Sequence, residues 1–492
     1  MMTISNKPIA RLWRWLKNNF DPVKVSLVVL LVFIPLYPKF PLQGVEGTYV
    51  SLRVDDLVVL AAFSVWIIYQ IKNKLPVLKE NYFKFFLLYW AAGAVSLLTA
   101  IFITKLIDPK IALLHFVRRI EYMSMFLLAY DGTKNLKTSH LAKIISLTSI
   151  GVLAFGMGQK YLQFPVVSTM NEEFSKGALL YLDKWTRISS TFAGHYDLAV
   201  WLVIILSLLP MLIKDSKKLT GKIFLAIIML VDFYLLTLTA SRVSFVAYLI
   251  AVGTTLVLAK AYRWIPIVAV VSLAFASQSK ELNIRLATSF QGLAGVTEKY
   301  TGKIAGLIPK KENEAATTPQ PKEEPVVEPT TAESETENQG STKKTTDKKV
   351  VIKEARTWPK PEEIEAAAAR SSSIRFDVEW PRAVRAFLKD PLFGTGYSSI
   401  GLATDNDYLR TLGETGIVGF SCLALIIFHF LKTGLIKLFK QKVFLAAGLI
   451  GIIVGFLSNS IFIDVFEASK VAFYFWMITG IIYQKINSQS NE

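Results

Sequence analysis

Long apolar segments alternate with short polar ones along most of the chain. Crossing about 30 Å of hydrocarbon takes roughly 17 to 25 mostly apolar residues. Such segments fall near 25 to 40, 55 to 71, 82 to 103, 111 to 130, 141 to 160, 196 to 213, 222 to 240, 243 to 259, 264 to 277, 416 to 431, 443 to 463 and 470 to 485. Backbone polar groups in a bilayer must be bonded internally, and the sequence lacks the short alternation of a barrel. The pattern therefore predicts an all-α, polytopic integral membrane protein of about 12 transmembrane helices.

Composition agrees with the membrane class, and the placement of charge predicts an orientation. The chain has 492 residues, of which 52% are hydrophobic and 19% charged, and its formal net charge is +17. With the N-terminus inside, the cytoplasmic loops hold about 22 Lys and Arg residues and the opposite short loops about 9. This asymmetry predicts that both termini are cytoplasmic. It also explains much of the positive charge as a topology signal, so no nucleic-acid partner is expected.

The spacing of the apolar segments divides the chain into three parts. Residues 1–277 hold helices 1–9, residues 278–412 form one large extracytoplasmic loop, and residues 413–492 hold helices 10–12. Within the loop, about 310–354 is rich in Lys, Glu, Thr and Pro with almost no aromatic residue, which predicts a disordered insert. Residues 371–388 have apolar positions at mostly helical spacing, which predicts an amphipathic helix on the membrane surface.

The densest motif follows that amphipathic segment. The run "PLFGTG" at 391–396 supplies two glycines for a tight turn, and three more glycines follow by position 419. Between them stands a group of ionisable and amide side chains at a predicted membrane entrance. Such groups are costly there and are often functional, although glycine turns and a polar helix start account for part of the pattern. The group comprises Asp405, Asn406, Asp407, Arg410 and Glu414.

These motifs resemble the O-antigen ligase and polymerase family of bacterial membrane proteins. Asn406 is followed after nine residues by Gly-x-x-Gly, at Gly416 and Gly419, as at the end of that family's large periplasmic loop. "PLFGTG", the upstream "SIRFDVEWPRAVRAFLKD", "LTASRVSF" and "RISSTFAGHYDLAVWL" also look like family segments, in the same order. The resemblance covers the topology and about the last two-thirds of the chain. It implies a bacterial inner (cytoplasmic) membrane enzyme that transfers lipid-linked glycans on the outer face.

One position departs from the family pattern. Ligases of this family carry a His immediately before the motif Asn, where this chain has Asp405. A carboxylate can accept the proton of an acceptor hydroxyl as an imidazole would. Asp405 is therefore the predicted base and Asn406 the residue that orients it. The departure leaves open a polymerase, or a ligase with another acceptor.

The resemblance also implies a polyprenyl-diphosphate-linked glycan donor, whose leaving group needs positive charge. Arginine binds phosphate oxygens bidentately and stays protonated. Four arginines lie on the predicted outer side, and each could instead snorkel or bind lipid headgroups. His195 lies near one of them and could contact substrate, although a lone His at a helix entrance often caps or packs. The predicted substrate-binding residues are Arg187, Arg242, Arg285, Arg375 and His195.

Two further groups of polar residues carry alternative interpretations. Arg118, Arg119 and Glu121 lie within an apolar segment and are expected to form an internal ion pair that fixes helix packing. Asp405 and Asp407 form an Asp-x-Asp pair that could share a divalent ion if extended. The resemblance implies metal-independent chemistry, so neither a metal nor a cofactor is expected.

The sequence leaves three function classes open. The first is a membrane glycosyltransferase whose acceptor is another lipid-linked glycan, a lipid anchor or a protein. The second is a transporter or flippase for a lipid-linked or charged glycan, motivated by Arg118, Arg119 and Glu121. The third is a catalytically silent scaffold that uses the predicted disordered insert.

Overall fold

The structure is a computed structural model of the chain. It describes residues 21–38, 41–44, 51–105, 107–166, 180–181, 187–279, 281–287, 370, 373–401 and 403–489. The predicted insert at 310–354 lies outside these residues.

Helices dominate the described residues, as the apolar pattern predicts. The longer helices are α1 (Pro22–Leu36), α2 (Val54–Lys72), α3 (Asn81–Thr99), α4 (Pro109–Gly132), α5 (Thr138–Tyr161), α6 (His195–Asp215), α7 (Leu219–Leu238), α8 (Arg242–Leu258), α9 (Ile265–Gln278), α10 (Glu281–Ala287), α11 (Trp380–Lys389), α12 (Asp407–Phe439), α13 (Leu445–Asn459) and α14 (Ser469–Ser488). Short 3₁₀ turns lie at Pro76–Lys79 and Tyr262–Trp264. Wider π-helical turns lie at Ala100–Thr104 and Ile374–Glu379.

Strands are confined to two short antiparallel pairs in connecting segments. β1 (Pro41–Gly44) pairs with β2 (Ser51–Arg53), and β3 (Pro165–Val166) pairs with β4 (Leu180–Tyr181). The apolar pattern did not predict these strands, because two to four residues are too few to show a period of two.

Six of the described helices are long and apolar enough to cross a membrane: α2, α3 with its π-helical turn, α5, α6, α7 and α12. A seventh span follows if the bent pair Tyr262–Gln278 and Glu281–Ala287 is counted as one. Shorter apolar helices include α1, α8 and α13. The chain is thus a multi-pass membrane protein of the all-α class. A helix also coincides with each of the twelve predicted segments, but the number of spans stays a prediction.

The helices differ in how much apolar surface they bury against each other. Of the most apolar 18-residue stretch of each helix, 83% is buried in α6 but only 28% in α2. α14 is buried almost throughout and packs against α4, while α13 packs between α8 and α6. Exposed apolar side chains on α2, such as Leu60 and Ile71, are suited to lipid contact. Helices α6, α13 and α14 therefore form the interior on which the site is built.

Most of the predicted amphipathic segment is helical, and the helix of the tenth predicted span begins earlier than expected. The π-helical turn and α11 together run from Ile374 to Lys389, within the predicted segment and one residue beyond it. α12 begins at Asp407 rather than near 416, because its first turns are polar and hydropathy alone placed them in the loop. The backbone leaves helical geometry at Gly416, where φ is 64° and ψ is −171°. Residues 407–415 thus form the polar first turns of α12, and a kink at Gly416 joins them to its apolar part.

Candidate active site

Several helix ends meet at one polar cluster, which we call the arginine site. Arg187 lies in the segment before α6, His195 begins α6, Arg242 begins α8, and Arg285 lies on α10. Arg375 lies on the π-helical turn, and Asp405 directly precedes the cap of α12. The arginine site comprises Arg187, His195, Tyr196, Arg242, Glu281, Arg285, Arg375 and Asp405. It contains all the predicted site residues except Asn406.

One half of the arginine site is held together by a shared carboxylate. Glu281 accepts Arg285 Nε at 3.0 Å and faces Arg187 Nε at 3.4 Å. Arg187 Nη1 also lies 2.6 Å from His195 Nε2. Since guanidinium only donates, this His nitrogen is the acceptor. His195 is therefore engaged with an arginine at the helix start rather than only packed there.

The other half joins an arginine to the predicted base. Arg375 Nε and Nη2 both lie 2.7 Å from Asp405 Oδ2. Arg375 is buried, whereas 32% of the Asp405 side chain is exposed, so a substrate can reach the carboxylate. Tyr196 interacts with both Arg375 and Arg187 and so connects the two halves.

Arg242 completes the arginine site from the start of α8. Ser241 caps that helix through Ser244 N, and Arg242 Nη1 donates to the Arg285 carbonyl at 3.4 Å. Ser244 Oγ donates to Asn459 Oδ1 at 2.7 Å, which ties the start of α8 to the end of α13. The segment "LTASRVSF" thus acts as a cap that fixes the direction of one arginine.

The ion pairs of the arginine site join three arginines to two carboxylates. Among the described residues, Arg187 and Arg285 share Glu281, and Arg375 pairs with Asp405. Burial and the neighbouring charge of Arg285 lower the pKa of Arg187. Burial raises the pKa of Asp405, and the Arg375 cation opposes that rise. An anionic ligand would relieve the repulsion among the arginines, which suits a phosphate-bearing molecule.

Asn406 is placed as a helix cap, and its side chain faces away from Asp405. Its Oδ1 accepts Leu409 N at 2.9 Å, and its Nδ2 donates to the Ile461 carbonyl at 3.1 Å. These bonds use both ends of the amide. Asn406 therefore fixes the start of α12 next to Asp405, and a direct contact with substrate stays a prediction.

Asp464 holds the backbone on both sides of Asp405. Its carboxylate accepts Thr404 N at 2.7 Å and Asn406 N at 3.1 Å. Between these two bonds, Asp405 adopts a left-handed φ of 49°. Asp464 is not among the predicted site residues; an acidic residue between two apolar helices indicates a functional or structural role but not its partner.

A buried ion network supports this arrangement from behind. Arg410 faces three carboxylates, with Nη1 2.9 Å from Asp464 and Nε 3.3 and 3.4 Å from Glu414 and Glu467. The Asp407 carboxylate accepts Val465 N at 2.9 Å and is nearly fully buried. Asp405 and Asp407 therefore have different partners. Among the described residues, no group of three or more His, Cys, Asp or Glu side chains is placed to hold a metal ion.

The ionisable residues of α4 pair with other segments rather than with each other. Arg118 bonds both oxygens of Asp56 on α2 at 3.2 Å. Arg119 bonds Glu467 and, at 2.9 Å, the Phe466 carbonyl. These ion pairs join α4 to α2 and to the segment between α13 and α14. The expected packing role agrees with these contacts.

The glycine-rich turn docks against the kink of α12. Thr395 N and Gly396 N donate to the carbonyls of Gly413 and Glu414 at 2.9 Å, and Ile417 N donates to the Pro391 carbonyl at 2.9 Å. A Cβ at Gly416 would lie 2.2 Å from the Leu392 carbonyl oxygen. The spacing between "PLFGTG" and Gly416 is therefore a packing requirement that holds the segment carrying Asp405 in place.

These observations define a class: a multi-pass helical membrane protein with a cationic cluster beside an accessible carboxylate. Comparison with protein families agrees. Residues 224–424 match the family model described as O-antigen ligase. No curated protein matches the chain. The family match confirms the resemblance seen in the sequence and supports membrane glycosyl transfer as the general activity. The match includes Arg242, Arg285, Arg375 and Asp405 but ends before Asp464.

Proposed function

We propose that the chain transfers a glycan from a polyprenyl diphosphate to an acceptor hydroxyl on the outer face of the bacterial cytoplasmic membrane. One observation carries the proposal: the arginine site gathers four arginines from separate segments around a partly exposed carboxylate. The family match supports glycosyl transfer in general. The finer proposal retains about 12 spans, one large outer loop and cytoplasmic termini.

The chemistry assigns separate tasks to the two kinds of group. The acceptor oxygen forms the new bond to the anomeric carbon while the bond from that carbon to the diphosphate oxygen breaks. The diphosphate leaves with the electron pair, and Arg187, Arg242 and Arg285 neutralise its charge. Asp405 takes the hydroxyl proton. Arg375 holds the carboxylate in position, a role that its two 2.7 Å contacts with Asp405 support.

Charge neutralisation by guanidinium groups makes a divalent ion unnecessary in this scheme. The proposed reaction is therefore metal-independent and uses no cofactor. His195 is assigned to the donor side because it accepts from Arg187. The acceptor is another lipid-linked glycan, a lipid or a protein.

The contacts of the described residues give the transporter alternative no support. Arg118 and Arg119, which motivated it, bond Asp56 and Glu467 on neighbouring segments. Buried pairs of this kind fix helix packing and give a substrate path no free charge.

Replacing Asp405 by Asn tests the proposal directly. The amide cannot accept the hydroxyl proton, so glycan transfer should fall by about 10²-fold or more while the protein still inserts. The measurement is glycan chain length and linkage in cells, with the amount of membrane-inserted protein as reference. Asp377→Asn is the matched control, because Asp377 is exposed and bonds Ser373 rather than an arginine. Normal glycan products in the Asp405→Asn strain would refute the catalytic assignment.

A further inference from the structure

A second cationic pocket lies along α11, separate from the arginine site. It encloses about 330 Å³ between α11 and the turn that follows it. Three cations and two hydroxyls line it: Arg382, Arg385, Lys389, Thr395 and Ser399. We call this the α11 pocket. Its described lining includes no acidic residue, and its volume is at the lower end of typical small-molecule sites.

The cations of the α11 pocket form few hydrogen bonds with other protein groups in the described part of the chain. Arg382 Nη2 donates to the Ala403 carbonyl at 2.6 Å, while its Nε is buried without a hydrogen-bond partner in the described part of the chain. Arg385 and Lys389 are exposed. The neighbouring Asp390 carboxylate accepts Phe393 N at 3.1 Å. Glu379 is the acidic group that acts on Arg382, and it is shared with Arg375. Among the described residues, the lining of the pocket is therefore cationic overall.

The α11 pocket adjoins a surface suited to lipid. On another side of α11, the apolar side chains of Val384 and Leu388 are 40% and 67% exposed, and Leu392 just beyond is 57% exposed. A short helix with separate basic and apolar faces lies in a membrane interface, with its basic groups at headgroup level. A ligand of the pocket would thus be reached from the membrane surface.

The α11 pocket extends away from the arginine site: Arg382 donates to the Ala403 carbonyl, two residues before Asp405, whereas Lys389 lies at the far end of α11. Arg382 and Lys389 follow Arg375 by 7 and 14 residues on nearly continuous helix. At 1.5 Å per residue, these positions lie about 10 and 20 Å along the axis from Arg375. Two groups of cations therefore lie along one helical segment, and Asp405 contacts Arg375 at the N-terminal end of that segment.

We propose that the α11 pocket binds the phosphate group of a second membrane-anchored lipid. Arg382 and Arg385 suit bidentate phosphate contacts, Lys389 adds a point charge, and the Thr395 and Ser399 hydroxyls can donate. The phosphate comes either from the diphosphate of a lipid-linked acceptor or from an anionic phospholipid headgroup. If the proposed function holds, the first source makes the pocket the acceptor subsite of a polymerase.

Binding of a sugar-free diphosphate lipid tests the proposal without requiring glycan transfer. The full chain in phosphatidylcholine nanodiscs is titrated with undecaprenyl diphosphate, and the bound equivalents are counted by native mass spectrometry. The unaltered chain should bind two equivalents. Arg385→Gln/Lys389→Gln should weaken one of them by at least about tenfold, because two charge-assisted contacts are lost. Lys217→Gln/Lys218→Gln removes two exposed charges from the loop between α6 and α7 and is the matched control.

The outcomes separate the sources and the proposals. The equivalent of undecaprenyl diphosphate that the double variant loses is then challenged with phosphatidylglycerol in the unaltered chain. If phosphatidylglycerol does not displace it, the pocket binds a lipid diphosphate. If phosphatidylglycerol displaces it, the pocket binds an anionic phospholipid headgroup. Equal binding by the pocket variant and the control overturns the proposal. If the double variant does not fold, the single variants Arg385→Gln and Lys389→Gln each provide the same comparison. Failure of the Asp405→Asn experiment would remove the catalytic role and leave this binding result unchanged.

Discussion

Asp405 combines an unusual backbone with an accessible carboxylate. Its left-handed φ of 49° is enforced by the two bonds from Asp464 to its neighbours, and its carboxylate contacts Arg375. Left-handed geometry in a non-glycine residue persists only where surrounding contacts over-determine it. The carboxylate is thus held in one direction by the backbone and in place by one arginine.

Arg375 should control the pH range in which Asp405 acts as a base. Burial raises the pKa of Asp405, and Arg375 lowers it by stabilising the carboxylate. A base works above its own pKa, so activity should fall as the pH drops through that value. Arg375→Gln removes the stabilising cation, raises the pKa further and should move the acidic limb to higher pH. The measurement is kcat/KM against pH, and an unmoved limb would contradict the pairing.

The sequence predicted the individual residues of the arginine site but not the residues that hold them in place. Arg187, Arg242 and Arg375 stand beside helix ends on one predicted face, so their meeting could be expected from topology. The role of Asp464 could not be expected, because it is 58 residues from Asn406 and no local pattern shows which carboxylate bonds the backbone of residues 404 and 406. The capping of α12 by Asn406 could have been inferred from residue type alone.

At the scale of elements, caps and one kink place the site. Ser241 and Asn406 begin α8 and α12, and each stands directly beside a site residue. The kink at Gly416 lets the turn at 391–396 bond the carbonyls of residues 413 and 414. Hydropathy could not show this, because the first turns of α12 are polar. The amphipathic helix was predictable, since its apolar positions follow the helical period.

Gly416→Ala should disrupt this docking. With φ at 64° and ψ at −171°, the residue lies in a region open almost only to glycine, and a Cβ would meet the Leu392 carbonyl oxygen at 2.2 Å. The expected loss is about 2 kcal/mol of unfolding free energy or more. Thermal unfolding in detergent measures it. Gly253→Ala is the control, because that helical site has no atom within 4 Å and should be neutral or stabilising. Equal stabilities would contradict the docking argument.

At the scale of the whole molecule, the unequal distribution of Lys and Arg predicts which end of each helix faces the cytoplasm. The arginine site lies at the starts of α6, α8 and α12, which this topology places on the outer side. The family match agrees with a multi-pass membrane enzyme. The orientation itself rests on the charge count.

Cysteine labelling tests that orientation. The labelling uses a Cys422→Ala background, which has no other cysteine. In that background, Lys110→Cys should react with a membrane-impermeant maleimide added to cells whose outer envelope has been permeabilised. Lys217→Cys should react only after the cytoplasmic membrane is permeabilised, because the predicted topology places it inside. Both residues are exposed, so access differs only by side. Labelling of both from one side would contradict the topology.

The bonds from Asp464 to the backbone around Asp405 also have a consequence for biosynthesis. Residues 404–406 leave the ribosome well before residue 464, and insertion proceeds from the N-terminus. Until the connection between α13 and α14 has been translated and translocated, the segment that carries Asp405 lacks the two carboxylate oxygens that hold its backbone. If the proposed function holds, a nascent chain that already contains the four arginines and Asp405 would still be inactive, and transfer would begin only after nearly complete insertion.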